Sequence, residues 1–175
     1  FVLPTTGPSG VFVDGAVSPL VVATDATGVA TAPLVKANGV VGVWYVSATA
    51  AGIATPVAFR MTNVVGAGAT VTSSPGTTPQ STARGTLFPV RLAARVADAL
   101  GNPVEGVNVT FTLPPGTAGA RFGPAFTART AVVATGPDGI ATAPDAKATA
   151  TAGSYMATAA AAGVTGSATF DLTNN

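Results

Sequence analysis

Thr24-Asp25-Ala26-Thr27-Gly28-Val29-Ala30-Thr31-Ala32-Pro33 returns 111 residues later as Thr135-Gly136-Pro137-Asp138-Gly139-Ile140-Ala141-Thr142-Ala143-Pro144. The match continues outward. Lys36-Ala37 faces Lys147-Ala148, Gly42 faces Gly153, and Trp44 faces Tyr155. Phe59-Arg60-Met61-Thr62-Asn63 faces Phe170-Asp171-Leu172-Thr173-Asn174, and upstream Phe1-Val2-Leu3-Pro4 faces Phe111-Thr112-Leu113-Pro114 at a spacing of 110. Self-similarity at a fixed spacing means one structural unit used more than once. Residues 65–175 therefore read as one whole repeat, and residues 1–64 as the C-terminal part of the preceding one. The first repeat has no counterpart of Val65 through Thr110. A β-sandwich without its opening strands exposes core and unpaired edges. The expectation is that the protein extends ahead of Phe1 or that a neighbouring molecule supplies the strands.

Within the complete repeat, Val90, Leu92, Ala94 and Val96 alternate with Arg91, Ala93, Arg95 and Ala97, the period of a half-buried strand. Asp98-Ala99-Leu100-Gly101-Asn102-Pro103 breaks it with turn chemistry. Val107, Val109, Phe111 and Leu113 form a second alternating set, stopped by Pro114-Pro115-Gly116. Thr130–Ala134 reads as a strand closed by Gly136-Pro137-Asp138-Gly139. Tyr155, Ala157 and Ala159 share a face, as do Ala168, Phe170 and Leu172. No segment carries a helical period. Short strands punctuated by turns predict an all-β fold of tandem immunoglobulin-like β-sandwiches.

Composition agrees. Charged residues are 9% of the 175, aromatics 6% and hydrophobic residues 47%, much of it alanine and valine. Many small apolar groups suit thin two-layer packing. The net charge is +1 with scattered basic residues, which lacks the basic stripe that nucleic-acid binding needs. The uncharged run Val40–Phe59 is long enough for a membrane helix. Gly42, Gly52, Pro56 and its β-branched residues instead predict two strands joined by a turn. No membrane span is expected.

The run Asp98-x-x-Gly101-Asn102-Pro103-Val104-x-Gly106-Val107-x-Val109-Thr110-Phe111, followed by Asp138-Gly139-Ile140-Ala141-Thr142, Gly153-Ser154-Tyr155 and Phe170-x-Leu172-Thr173-Asn174, resembles bacterial Ig-like domains of the invasin/intimin type. The resemblance covers nearly all of 65–175 and the matching parts of 1–64. It implies a non-enzymatic, extracellular cell-surface module of a stalk or adhesin. The alternative is an accessory or ligand-binding Ig-like module of a larger secreted enzyme or adhesin.

Candidate chemistry is sparse. There is no cysteine and no histidine, which removes thiolate nucleophiles and the commonest general base. The acids are Asp14, Asp25, Asp98, Glu105, Asp138, Asp145 and Asp171. Asp25, Asp98 and Asp138 sit in turns, where Asp bonds its own backbone, and no acid-dense loop suggests calcium at a junction. Lys36 and Lys147 recur in register with Asn63 and Asn174, the pairing that an intramolecular isopeptide bond would use. That bond also needs a buried acid, with Glu105 the only glutamate, and lysines on an exposed strand face are the expected reading. Trp44, Tyr155, Phe12 and Phe122 read as core aromatics, and Val65-Gly66-Ala67-Gly68-Ala69 as a linker. No catalytic, cofactor-binding or metal-ligating set is identified, and no cofactor is expected. The Thr-, Ser- and Ala-rich outer faces carry few charges, and low net charge promotes association. The expected partners are neighbouring Ig-like repeats of the same or adjacent chains, including a strand-exchanging polymer joined by β-augmentation.

Overall fold

A computed structural model describes residues 1–175. The fold is all-β, with strands and no helix. The chain divides into two compact units, Phe1–Val65 and Gly66–Asn175, against the 64/65 division read from the repeat.

In the first unit β1 (Gly10–Phe12) pairs antiparallel with β2 (Val35–Ala37). β3 (Gly42–Ala48) pairs antiparallel with β4 (Val57–Asn63), so the uncharged stretch around them is a hairpin. No helix is long and apolar enough to cross a membrane. A small core of Leu3, Phe12, Trp44 and Val46 is buried between these pieces.

The second unit opens with β5 (Thr70–Ser73), β6 (Gln80–Thr82), β7 (Ala93–Ala97) and β8 (Asn108–Thr112). It continues with β9 (Ala120–Phe122), β10 (Thr130–Ala134), β11 (Ile140–Thr142), β12 (Ala146–Ala148), β13 (Gly153–Ala161) and β14 (Ala168–Asn174). One sheet has the order β10-β8-β13-β14-β6, another β11-β7-β5, and a third is the pair β12-β9. The first two sheets contribute to one core. Val71, Leu92, Ala94, Val96 and Ala141 meet Val109, Phe111, Ala157, Ala159, Phe170 and Leu172 there. Alanines fill much of it, and Ala94, Ala120, Ala141, Ala157 and Ala159 have no exposed surface at all.

Pairing registers repeat between the units. Gly10 faces Ala37 as Ala120 faces Ala148, and Trp44 faces Met61 as Tyr155 faces Leu172. The bridge Val2–Ser47 repeats Thr112–Thr158. The Phe1 and Phe59 rings lie 6.4 Å apart, and Phe111 and Phe170 lie 6.2 Å apart, both pairs tilted.

Three expectations need correction. Val90 is exposed and lies ahead of β7, which begins at Ala93. Within β7, Ala93 and Ala97 are buried along with Ala94 and Val96. A strand paired on both sides leaves a methyl side chain little accessible surface, so the half-buried alternation is lost. The Gly-rich stretch after Val65 is packed into the second unit. Gly66 N donates to Asp98 Oδ2, Ala69 N donates to Ala97 O, and a Cβ on Gly68 would come within 3.0 Å of Val96. The missing side chain at Gly68 leaves room for the Val96 and Val164 side chains.

Phe59 and Phe170 occupy the same repeat position, yet Phe59 is 48% exposed and Phe170 fully buried. Phe170→Ala is expected to destabilise its unit by about 3–5 kcal/mol, the range for a buried phenylalanine. Phe59→Ala should cost well under half of that. Urea unfolding of both variants, followed separately for each unit, checks the contrast.

Candidate functional site

The most highly organised polar cluster recurs in both units and is built around an asparagine. Asn174 closes β14 and is buried. Its Oδ1 accepts from the Tyr155 hydroxyl at 2.9 Å. Its Nδ2 donates to Gly119 O at 2.9 Å and Thr151 O at 3.1 Å, with Thr149 Oγ1 at 3.3 Å. In the first unit Asn63 accepts from Trp44 Nε1 at 2.7 Å and donates to Ser9 O, Val40 O and Asn38 Oδ1. Each asparagine thereby fastens the last strand, the preceding strand's aromatic and two loops. Burial pushes the Tyr155 hydroxyl up to about 12, so it stays a donor at any physiological pH. Beside each cluster a glycine begins the hairpin with φ near +145°, where a Cβ on Gly42 would strike Pro8 and one on Gly153 would meet Ala118.

The acids are dispersed rather than convergent. Asp98 is buried and collects the densest set of donors. Oδ1 accepts from Leu100 N and Asn102 N, and Oδ2 accepts from Gly66 N and Asn102 Nδ2. These bonds, led by the Asn102 side chain and then the Gly66 amide, hold its carboxyl down at about 2. Asp98 is thus a clamp on the first residue of its unit. Asp25 and Asp138 sit in equivalent turns closed by the same backbone bonds, Asp25 N to Val29 O and Gly136 N to Ile140 O. The acid itself is shifted along the turn, with Asp25 accepting from Thr27 and Val29 and Asp138 from Ile140. Asp14 accepts from Ala16 N. Asp145 pairs with Arg91 at 2.6 Å on the surface, where such a pair contributes little. Glu105 and Asp171 are exposed.

The isopeptide arrangement finds no support in these positions. Glu105 is not a buried acid, and Lys36 lies exposed on β2. Lys147 corrects the exposed-face reading, for it is half-buried with Nζ 5.5 Å from the Phe126 ring centre. The amides of Asn63 and Asn174 are committed to the aromatics and loop carbonyls instead. Trp44, Phe12 and Phe122 are buried and Tyr155 half-buried. The asparagine clusters went unread in the sequence, although Asn63 and Asn174 in register with Trp44 and Tyr155 were a signal. A polar residue ending a strand two positions beyond the partner of an aromatic with an N–H or O–H tip lies within reach of that tip. No family model matches the chain, and no curated protein matches it.

Asn174→Ala strands the Tyr155 hydroxyl and the Gly119 and Thr151 carbonyls, and should cost about 1–3 kcal/mol for the buried groups left unpaired. Adding Tyr155→Phe should recover part of that loss in a double-mutant cycle. The depressed Asp98 carboxyl gives a second expectation. Its contribution to stability is fully present above its ordinary value of 3.8 and is lost as the pH falls through about 2. Urea unfolding between pH 6 and pH 2 should show the wild type losing its advantage over Asp98→Asn across that acid window.

Proposed function

We propose that the chain is a load-bearing segment of a stalk or filament on a bacterial surface protein. In this reading it is an extracellular, non-catalytic module built from tandem Ig-like β-sandwiches of the invasin/intimin type. One observation carries the proposal. In the second unit the opening segment and the closing strand run side by side in parallel, with Leu172, Thr173 and Asn174 facing Gln80, Ser81 and Thr82. Further bonds extend the seam, from Asn175 N to Thr82 O, from Arg84 N and Nε to Asn175 O, and from Asp171 N to Thr78 Oγ1.

Tension on the two ends of this unit draws β6 backward by its N-terminal side and β14 forward by its C-terminal end. Parallel neighbours pulled that way slide along each other, so their bonds are loaded together. Antiparallel strands pulled apart at their open end break one bond at a time. A module carrying force from end to end benefits from the first geometry. The recurrence of strand registers and of the asparagine cluster in both units supports the repeat component of the reading. The scarcity of surface charge supports end-to-end or lateral association with neighbouring repeats.

Single-molecule stretching tests the proposal. Pulled between Gly66 and Asn175, the unit should unfold in one event releasing roughly 350–400 Å of chain. The force should be several-fold higher than when the same unit is pulled between Ser154 and Asn175, which unzips β13 from β14. Equal forces in the two geometries would remove the mechanical reading.

A further inference from the structure

In the first unit Val57, Phe59 and Met61 stand open on the inner face of β4, 57%, 48% and 36% exposed. Val57 and Phe59 border a groove of about 560 Å³ that Phe1, Leu20 and Ile53 also line. The same positions in the second unit, Ala168, Phe170 and Leu172, are buried. The cover there comes from one continuous stretch of chain. β6 pairs with the outer edge of β14, and Val71, Phe88, Leu92, Ala94 and Val96 fill the core opposite.

Two further differences point to the same stretch. Val29–Thr31 repeats the sequence pattern of β11 but is not a strand, and β11 owes its pairing to β7. Gly28 and Gly139 share the same turn and nearly the same φ. A Cβ on Gly139 would strike Val96 O and Pro103, whereas one on Gly28 would meet nothing within 4 Å. Phe1, meanwhile, already holds the place of Phe111. Its ammonium donates to Leu20 O, and Leu20 N donates back to Phe1 O, as β8 pairs with β10 through Phe111 and Ala131.

We infer that the open face of the first unit is a docking site for a polypeptide segment with the pattern of Gly66–Thr110 that runs into Phe1 along the path of β8. The segment lays one strand antiparallel to Val29–Thr31, a second parallel to β4, and its apolar side chains over Phe59 and Met61. Continuity with Phe1 is favoured over a separate donor for two reasons. Phe1 already pairs with Leu20 as Phe111 pairs with Ala131, so the path of β8 leads directly into it, and a linked segment docks at far higher effective concentration. The inference rests on reading the first unit as a second copy of the repeat. The stretching experiment concerns Gly66–Asn175 alone, so failure here leaves the mechanical proposal standing.

The test is hydrogen exchange on the full chain carrying an added copy of Gly66–Thr110 directly ahead of Phe1. Amides of Val57–Asn63 and Val29–Thr31 should slow to the level of Ala168–Asn174 and Ile140–Thr142. Phe59→Asp should abolish the slowing in the extended chain while changing exchange in the unextended chain far less. Unaltered exchange at Val57–Asn63, or an added segment that exchanges at unfolded rates, would overturn the inference. So would protection that grows with concentration in the unextended chain, because a second copy would then be the occupant.

Discussion

A strand of this protein exists only where another strand meets it. The backbone N–H and C=O groups of an extended segment must be paired, and an apolar face must be covered, before extension is stable. Gly28-Val29-Ala30-Thr31 and Gly139-Ile140-Ala141-Thr142 make this plain, since their turns close with matching backbone bonds. Only the second forms a strand, because only it has β7 beside it. The same contrast separates Phe59 from Phe170. Local sequence supplies the option of a strand, and the partner decides it.

The two asparagine clusters serve the same constraint where strands run out. The closing strand ends among loop carbonyls that no ladder reaches, and a carboxamide can accept at one atom and donate twice at the other. Asn63 and Asn174 use that capacity fully, one against an indole and one against a phenol. That Trp and Tyr exchange places while the asparagine stays indicates that a hydrogen-bond donor at the aromatic tip is what the position requires. Asp98 performs the corresponding service at the opposite end of the chain order, gathering amides from its own turn and from Gly66.

Much of this was legible beforehand. Regular alternation located β8, β13 and β14, the turn at Gly136–Gly139 located β10, and the inward residues Val109, Phe111, Leu113, Ala157, Ala159, Phe170 and Leu172 are buried. The repeat pointed to matching pieces of chain, and matching registers are observed. What escaped reading were β1, β5, β6 and β9, strands of three or four residues whose existence depends on distant partners rather than on pattern. The packing of Gly66 to Ala69 was hidden for a related reason, since glycine signals both slack and close approach. The asparagines lay in plain view, but a buried carboxamide has no periodic signature.

The alanine core has a consequence for how such a unit can change. A methyl group gives up no rotamer freedom on burial, so each alanine is ordered at the backbone's entropic cost alone. It also allows the layers to approach so closely that there is no room for a larger side chain, and overfilling a packed interior is itself destabilising. A bulkier inward group therefore needs a facing layer shaped around it, as in the first unit, where Val46 fills the core at the place that Ala157 holds in the second.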